Sequence, residues 1–316
     1  MKLADFKLTA SDFLPFGRGL QRPECVWVDR DGVWTSDARG GIAHVRNDAE
    51  PNIVGQGIVD PNGFSRRPDG SFVVAGIGDG GLHLIAPDGT TRKLLDSYDG
   101  KPLGTVNYAW ADGNERIWLS VMTRAPKWHA GLTSPIFDGY ILRVDNEGTR
   151  CELVADGLDL TNEVKVSPDG RHLYAVETLG CRMVRFAVRP NGSLGNKEIV
   201  GPEHLGRGAF PDGFAFDAFG NIWITIINQN GLFAIDKRGD LHIVFRDMIP
   251  DAVEAMTRGV EQRNGTEEHL VACNSEHGPL RLPTSIAFGG ADGRTAFVGS
   301  LFADHLPTFR LPEALA

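Results

Sequence analysis

Pro211-Asp212-Gly213-Phe214-Ala215-Phe216-Asp217-Ala218-Phe219-Gly220-Asn221-Ile222-Trp223-Ile224-Thr225 is the stretch that decides the fold. Its opening Pro-Asp-Gly reads as a turn. Phe214 and Phe216 then alternate with smaller or polar residues, Ala218 to Asn221 forms a Gly-containing turn, and Ile222-Trp223-Ile224 is a second short apolar run. Two such runs around a tight turn predict a β-hairpin. The chain repeats this pattern six times, with the second residue of each copy at 24, 62, 107, 162, 212 and 284. A period of roughly 40–50 residues is the mark of radially repeated four-stranded units.

Working outward, each hairpin is followed by a second one. Examples are Gly81-Leu82-His83-Leu84-Ile85 before Pro87-Asp88-Gly89, and Gly231-Leu232-Phe233-Ala234-Ile235 before Arg238-Gly239. The sixth copy runs out after Thr308-Phe309-Arg310-Leu311, one strand short. A strand around Asp12-Phe13-Leu14-Pro15 can supply the missing one and so remove an open sheet edge. The expected architecture is therefore all-β: a six-bladed β-propeller with four antiparallel strands per blade, its last blade closed by the N-terminal strand. Residues 1–316 form one such domain.

Composition narrows the partners. A formal net charge of −9 argues against nucleic acid and anionic membrane surfaces, both of which need a basic face. Cys25, Cys151, Cys181 and Cys273 lack the close spacing of a structural zinc site and read as free thiols. The N-terminal residues carry no apolar leader and no apolar run reaches membrane-spanning length, so the expected location is cytoplasmic. The expected partner is a small-molecule substrate.

Strand direction assigns the loops to faces. The first and third connections within a blade are short Asp-Gly or Asn-Gly turns and fall on one face. The longer ones fall on the other, where every innermost strand begins. They include Met122 to Asp138, and Asp247 to Leu282 with Ala252, Val253, Met256 and Val260 at helical spacing. Function belongs on that second face, because rigid scaffolds carry sites on long loops.

The first residue of each innermost strand should point toward the ring axis there. These residues are Glu24, Asn62, Asn107, Asn162, Asp212 and Thr284, all with oxygen-bearing side chains. Carboxylates and carboxamides without His or Cys suit a hard divalent cation such as Ca²⁺, Mg²⁺ or Mn²⁺. Local turn chemistry accounts for Asn62 and Thr284, which are expected to be non-ligands. It accounts poorly for Glu24, a residue rare in turns, and for Asn107, which is followed by Tyr108 rather than Gly. The surrounding loops offer Arg124, Trp128, His129, Glu177 and Thr178, with Asn228 and His305 further round. Arg124 suits a carboxylate or hydroxyl, and Trp128 an apolar wall.

Four segments carry a family resemblance. They are Pro23-Glu24-Cys25-Val26-Trp27, Thr161-Asn162-Glu163 with Ser167-Pro168-Asp169-Gly170, Phe210-Pro211-Asp212-Gly213 with Gly220-Asn221-Ile222-Trp223, and Pro283-Thr284-Ser285-Ile286-Ala287-Phe288-Gly289-Gly290. Together they resemble the senescence-marker-protein/gluconolactonase/luciferin-regenerating-enzyme (regucalcin-like) family of six-bladed propellers. The resemblance implies one divalent ion on the axis, Ca²⁺ foremost and Mg²⁺, Mn²⁺ or Zn²⁺ otherwise. It implies Glu24, Asn162 and Asp212 as ligands, with Asn107 as a further ligand or substrate-side amide. Asp212 is implied as the general base. Substrate contacts are expected from Asn107, Arg124, Trp128, His129 and Glu177. The chain has Arg22-Pro23-Glu24-Cys25 where the family often has Gly-Glu-Gly-Pro, which loosens any transfer of substrate identity.

The activity so implied is metal-dependent opening of a lactone, a sugar lactone or related cyclic ester, by activated water. The alternatives are a phosphotriester hydrolase on the same ion and a non-catalytic calcium-binding propeller.

Overall fold

The computed structural model describes residues 1–47, 49–133 and 137–315. Six four-stranded antiparallel sheets follow one another around an axis, as the repeat predicts. The fifth shows the plan: Pro211–Phe216 is innermost, then Ile222–Ile226, Gly231–Ile235 and Leu241–Arg246. The sixth comprises Pro283–Gly289, Thr295–Ser300 and Leu306–Arg310, and its outer edge is covered by the N-terminal strand Leu14–Phe16. Leu14 pairs with Thr308 and Phe16 with Leu306. Closure pairs the two ends of the chain and leaves the last blade no shorter than the rest.

Apolar alternation on the strands becomes the packing between blades. Trp118, Trp223, Phe64 and Phe214 are among the largest fully buried side chains. The indole N–H of Trp223 donates to Asp217 Oδ2 at 2.9 Å, and that of Trp118 to Asp112 Oδ2 at the same distance. In both blades the aspartate of the Asp-containing turn therefore also satisfies the one polar atom of a core tryptophan.

Pro-Asp-Gly departs from its expected role. Pro211-Asp212-Gly213 is not a turn but the start of the innermost strand, and Pro61-Asn62-Gly63 is the same. Register breaks there, between Pro211 and Phe214 and between Pro61 and Phe64. Glycine follows because the strands crowd the axis: a Cβ on Gly213 would lie 2.7 Å from the Glu163 carboxylate, and one on Gly63 would run into the Tyr108 ring.

The long connection before the sixth blade is helical, as its spacing predicts. Helix α1 spans Pro250–Glu261 with proline in its first turn. A second helix, α2 at Glu267–Ala272, is capped by the Thr266 hydroxyl, which accepts from the His269 N–H. No helix among the described residues is long and apolar enough to cross a membrane. All four cysteines are free, Cys25 and Cys273 buried, Cys151 and Cys181 half-buried.

Candidate functional site

The broken register shapes the site. Five innermost strands carry a bulge at their start, spanning Asn62, Asn107, Asn162, Asp212 and Thr284, while Glu24 lies just before the strand Val26–Asp29. A bulge re-aims a side chain and leaves backbone groups unpaired. In three blades a hydroxyl from the next strand meets a backbone N–H near the start of the innermost strand. Ser36 accepts from Cys25, Ser120 from Tyr108 and Thr225 from Gly213, at 2.9–3.0 Å.

All six ring residues are buried, and all line one cavity of about 750 Å³. They divide by what holds them. The Asn62 amide is fully used: its oxygen accepts from Arg22 Nη2 at 2.9 Å and its nitrogen donates to the Asn107 carbonyl at 3.1 Å. The Thr284 hydroxyl donates to the Glu24 carbonyl at 2.5 Å. These two brace their neighbours.

The other four differ. Among the described residues, Glu24 Oε2, Asn107 Oδ1 and Asn162 Oδ1 are buried with no hydrogen-bond partner. Asn162 is nonetheless oriented, because its Nδ2 donates to the Thr178 hydroxyl at 3.2 Å and that hydroxyl donates to the Pro211 carbonyl at 2.8 Å. The Asn162 oxygen is thereby left to the cavity. A buried acceptor without a donor is costly, and three facing one cavity call for a shared partner.

Electrostatics point the same way. Burial pushes the Glu24 carboxyl up to about 7, with Arg22 opposing and Glu163 reinforcing the shift. Asp212 is held well above the usual carboxylate range, first by burial and then by the charges of Glu24 and Glu163. Two carboxylates that resist ionising together are relieved by a cation between them. The donor set, two carboxylate groups and two amide oxygens, matches a hard divalent ion.

A buried ion pair neighbours the ring. Lys165 Nζ lies 2.6 Å from Glu163 Oε2 and donates to the Phe214 carbonyl, while Glu163 accepts the Phe214 N–H at 3.0 Å. The charge of Glu163 in this buried pair acts on both the Glu24 and the Asp212 carboxyl.

Trp128 and His129 line the cavity, from the 3₁₀ turn Trp128–Leu132. Arg124 and Glu177 are not among its lining residues. The Arg124 guanidinium bonds the Asp138 carbonyl and Asp156 and lies 4.5 Å from the Tyr140 ring centre. Glu177 is fully buried beneath Arg182 and Lys197. The Asn228 amide is spent on Phe210 and Gly208, and His305 pairs with Asp304 at the surface. Arg22 is a cavity residue that the ring pattern passes over. It holds a left-handed φ of 51°, and its departure from the family pattern at this point was the only signal.

Residues 22–246 match the family model described as the SMP-30/Gluconolactonase/LRE-like region. The 6-deoxy-6-sulfogluconolactonase of Pseudomonas putida is 24% identical over 281 residues, 88% of this chain and 82% of that protein. A gluconolactonase structure from Xanthomonas campestris superposes with a TM-score of 0.69 at 20% identity, covering 95% of this chain and 89% of that one. A calcium-binding protein, regucalcin from Agrobacterium tumefaciens, does so with a TM-score of 0.67 at 16% identity, covering 94% and 93%. At these identities the structural likenesses speak to the fold.

Proposed function

This chain belongs to the SMP-30/gluconolactonase/LRE-like family, and we propose that it is a hydrolase that opens a lactone or related cyclic ester with the aid of one divalent cation, Ca²⁺ foremost. The observation that carries this reading is the set of three unpartnered buried oxygens, on Glu24, Asn107 and Asn162, sharing a cavity with the Asp212 carboxyl. The named lactonase among its relatives favours a carbon ester over a phosphotriester.

Glu24, Asn162, Asp212 and Asn107 would hold the ion. When bound, it supplies positive charge to an ester carbonyl and acidity to a water. Asp212, buried at the cavity floor, accepts the proton of the attacking water. The new C–O bond forms at the carbonyl carbon, the ring C–O bond breaks, and the proton passes to the departing ring oxygen. A hydroxy acid results. Asn162, fixed through Thr178, and Asn107, whose carbonyl is tied to Asn62, keep the oxygens aimed throughout. Trp128 and His129 face the substrate side.

The test is hydrolysis of a panel of lactones and phosphotriesters by protein stripped with EDTA and then resupplied with Ca²⁺, Mg²⁺, Mn²⁺ or Zn²⁺. Lactone opening that disappears on stripping and returns with one of the ions is expected. Equal turnover before and after stripping would overturn the metal-dependent reading, and turnover of phosphotriesters alone would overturn the lactone.

A further inference from the structure

The cavity has two chemically different parts. Its floor is the oxygen ring. Its wall is apolar, built by Leu132, Phe210, Met256, Leu270 and Leu282, which pack together as one cluster. Val271 and Phe302 continue that surface to the mouth, 45% and 39% exposed. Met256 and Leu270 come from α1 and α2, which begin only after Arg246, where the match to the family model ends. The wall is thus built partly from residues that lie beyond the family-model match.

Two of the polar groups above the floor are spent. The Arg22 guanidinium bonds Pro61 and Asn62, and the Thr178 hydroxyl is taken by Asn162 and Pro211. Asp60, Lys127 and Glu267 remain, all at exposed positions, with His129 half-buried 3.8 Å from Glu267. A polyhydroxylated ring needs a donor or acceptor for each hydroxyl it buries, and every one left unpaired costs about 1–3 kcal/mol. An alkyl or aryl group buried on the same wall gains affinity with each carbon. At about 750 Å³ the cavity has room for a ring and a substituent of several carbons.

We infer that the substrate is a lactone carrying an apolar alkyl or aryl substituent, which lies against the wall formed by α1, α2 and the loop around Phe302 while the ester faces the ring. This rests on the lactonase reading for its reaction but not for its binding surface, and two measurements separate them.

The first is kcat/KM over γ-lactones bearing side chains of zero to six carbons, with glucono-δ-lactone alongside and Ca²⁺ present. The second is calorimetric binding of 2-alkylcyclopentanones of the same chain lengths, which cannot be hydrolysed. Each added methylene should raise kcat/KM and tighten ketone binding roughly threefold to fourfold until the wall is filled. Val271→Ser and Phe302→Ser, both at exposed positions, should flatten that slope in each assay. The slope is read within each variant, so changes in overall level drop out. Ketone binding that tightens with chain length while no lactone is opened would leave the apolar binding surface standing and sink the lactonase reading. Flat ketone binding, or glucono-δ-lactone preferred over every alkyl lactone, would overturn the inference.

Discussion

Replacing Glu24 by Gln should change the stability of the cation-free and cation-loaded protein in opposite directions. Glu24 is buried, and its carboxyl sits at about 7 against an ordinary 4.5. Between those values the folded protein binds a proton that the unfolded chain has released. Stability of the cation-free protein must therefore fall as pH rises through that window. At ~1.4 kcal/mol per pH unit of displacement, the loss reaches about 3 kcal/mol above neutrality. For a domain of this size that is roughly 6 °C in Tm. Glu24→Gln keeps the shape and removes the charge, so at pH 8 the cation-free variant should be more stable than the parent by about that amount. At pH 5 the two should agree. With Ca²⁺ present the order should reverse, because the variant has lost a carboxylate ligand. Thermal unfolding at pH 5 and pH 8, with EDTA and with Ca²⁺, reads all four conditions. Parallel parent and variant curves under EDTA would refute the claim that Glu24 is held ionised at a cost.

Other outcomes follow from the same contacts. Asp212→Asn retains one carbonyl oxygen but cannot accept a proton, so kcat should fall by about 10²–10⁴ while some cation affinity survives in calorimetry. Lys165→Met leaves Glu163 buried and unpaired and should cost about 3–5 kcal/mol in urea unfolding, whereas Lys165→Met with Glu163→Leu should recover much of that loss. Thr178→Val removes the hydroxyl that aims Asn162, so it should weaken cation binding although Thr178 is not itself expected to ligate; undiminished affinity would remove its positioning role. Thiol titration in denaturant, handled without reductant, should count all four cysteines.

Much of the fold was legible because a propeller repeats its punctuation. Asp-Gly turns, alternating aromatics and a missing outer strand are local signals, and the pairing of Leu14 with Thr308 is their direct consequence. The ring was legible for a different reason: Glu24 is a poor turn residue and Asn107 is followed by Tyr108 rather than Gly, so their recurrence at one position asks for another explanation. Depth along the radius was not legible. Arg124 and Glu177 follow strands that end on the functional face, but the first turns outward to Asp156 and the second lies beneath Lys197. Loop direction fixes the face, not the distance from the axis. Pro-Asp-Gly misled in the same way, since a bulge and a turn use the same residues and only the crowding around Gly213 separates them. The spacing in 252–260 revealed α1, but not that its apolar side and α2 wall the cavity, because that depends on where a long connection comes to rest.

The central question is whether the oxygens of Glu24, Asn107, Asn162 and Asp212 hold an ion. Calorimetric titration of EDTA-stripped protein with Ca²⁺, run beside the Glu24→Gln, Asp212→Asn double variant, asks this directly. One ion per chain in the parent, and no saturable binding in a double variant that still unfolds cooperatively, is the expected result. A parent that binds no divalent cation, or a double variant that binds it as tightly, would contradict a cation site at the ring.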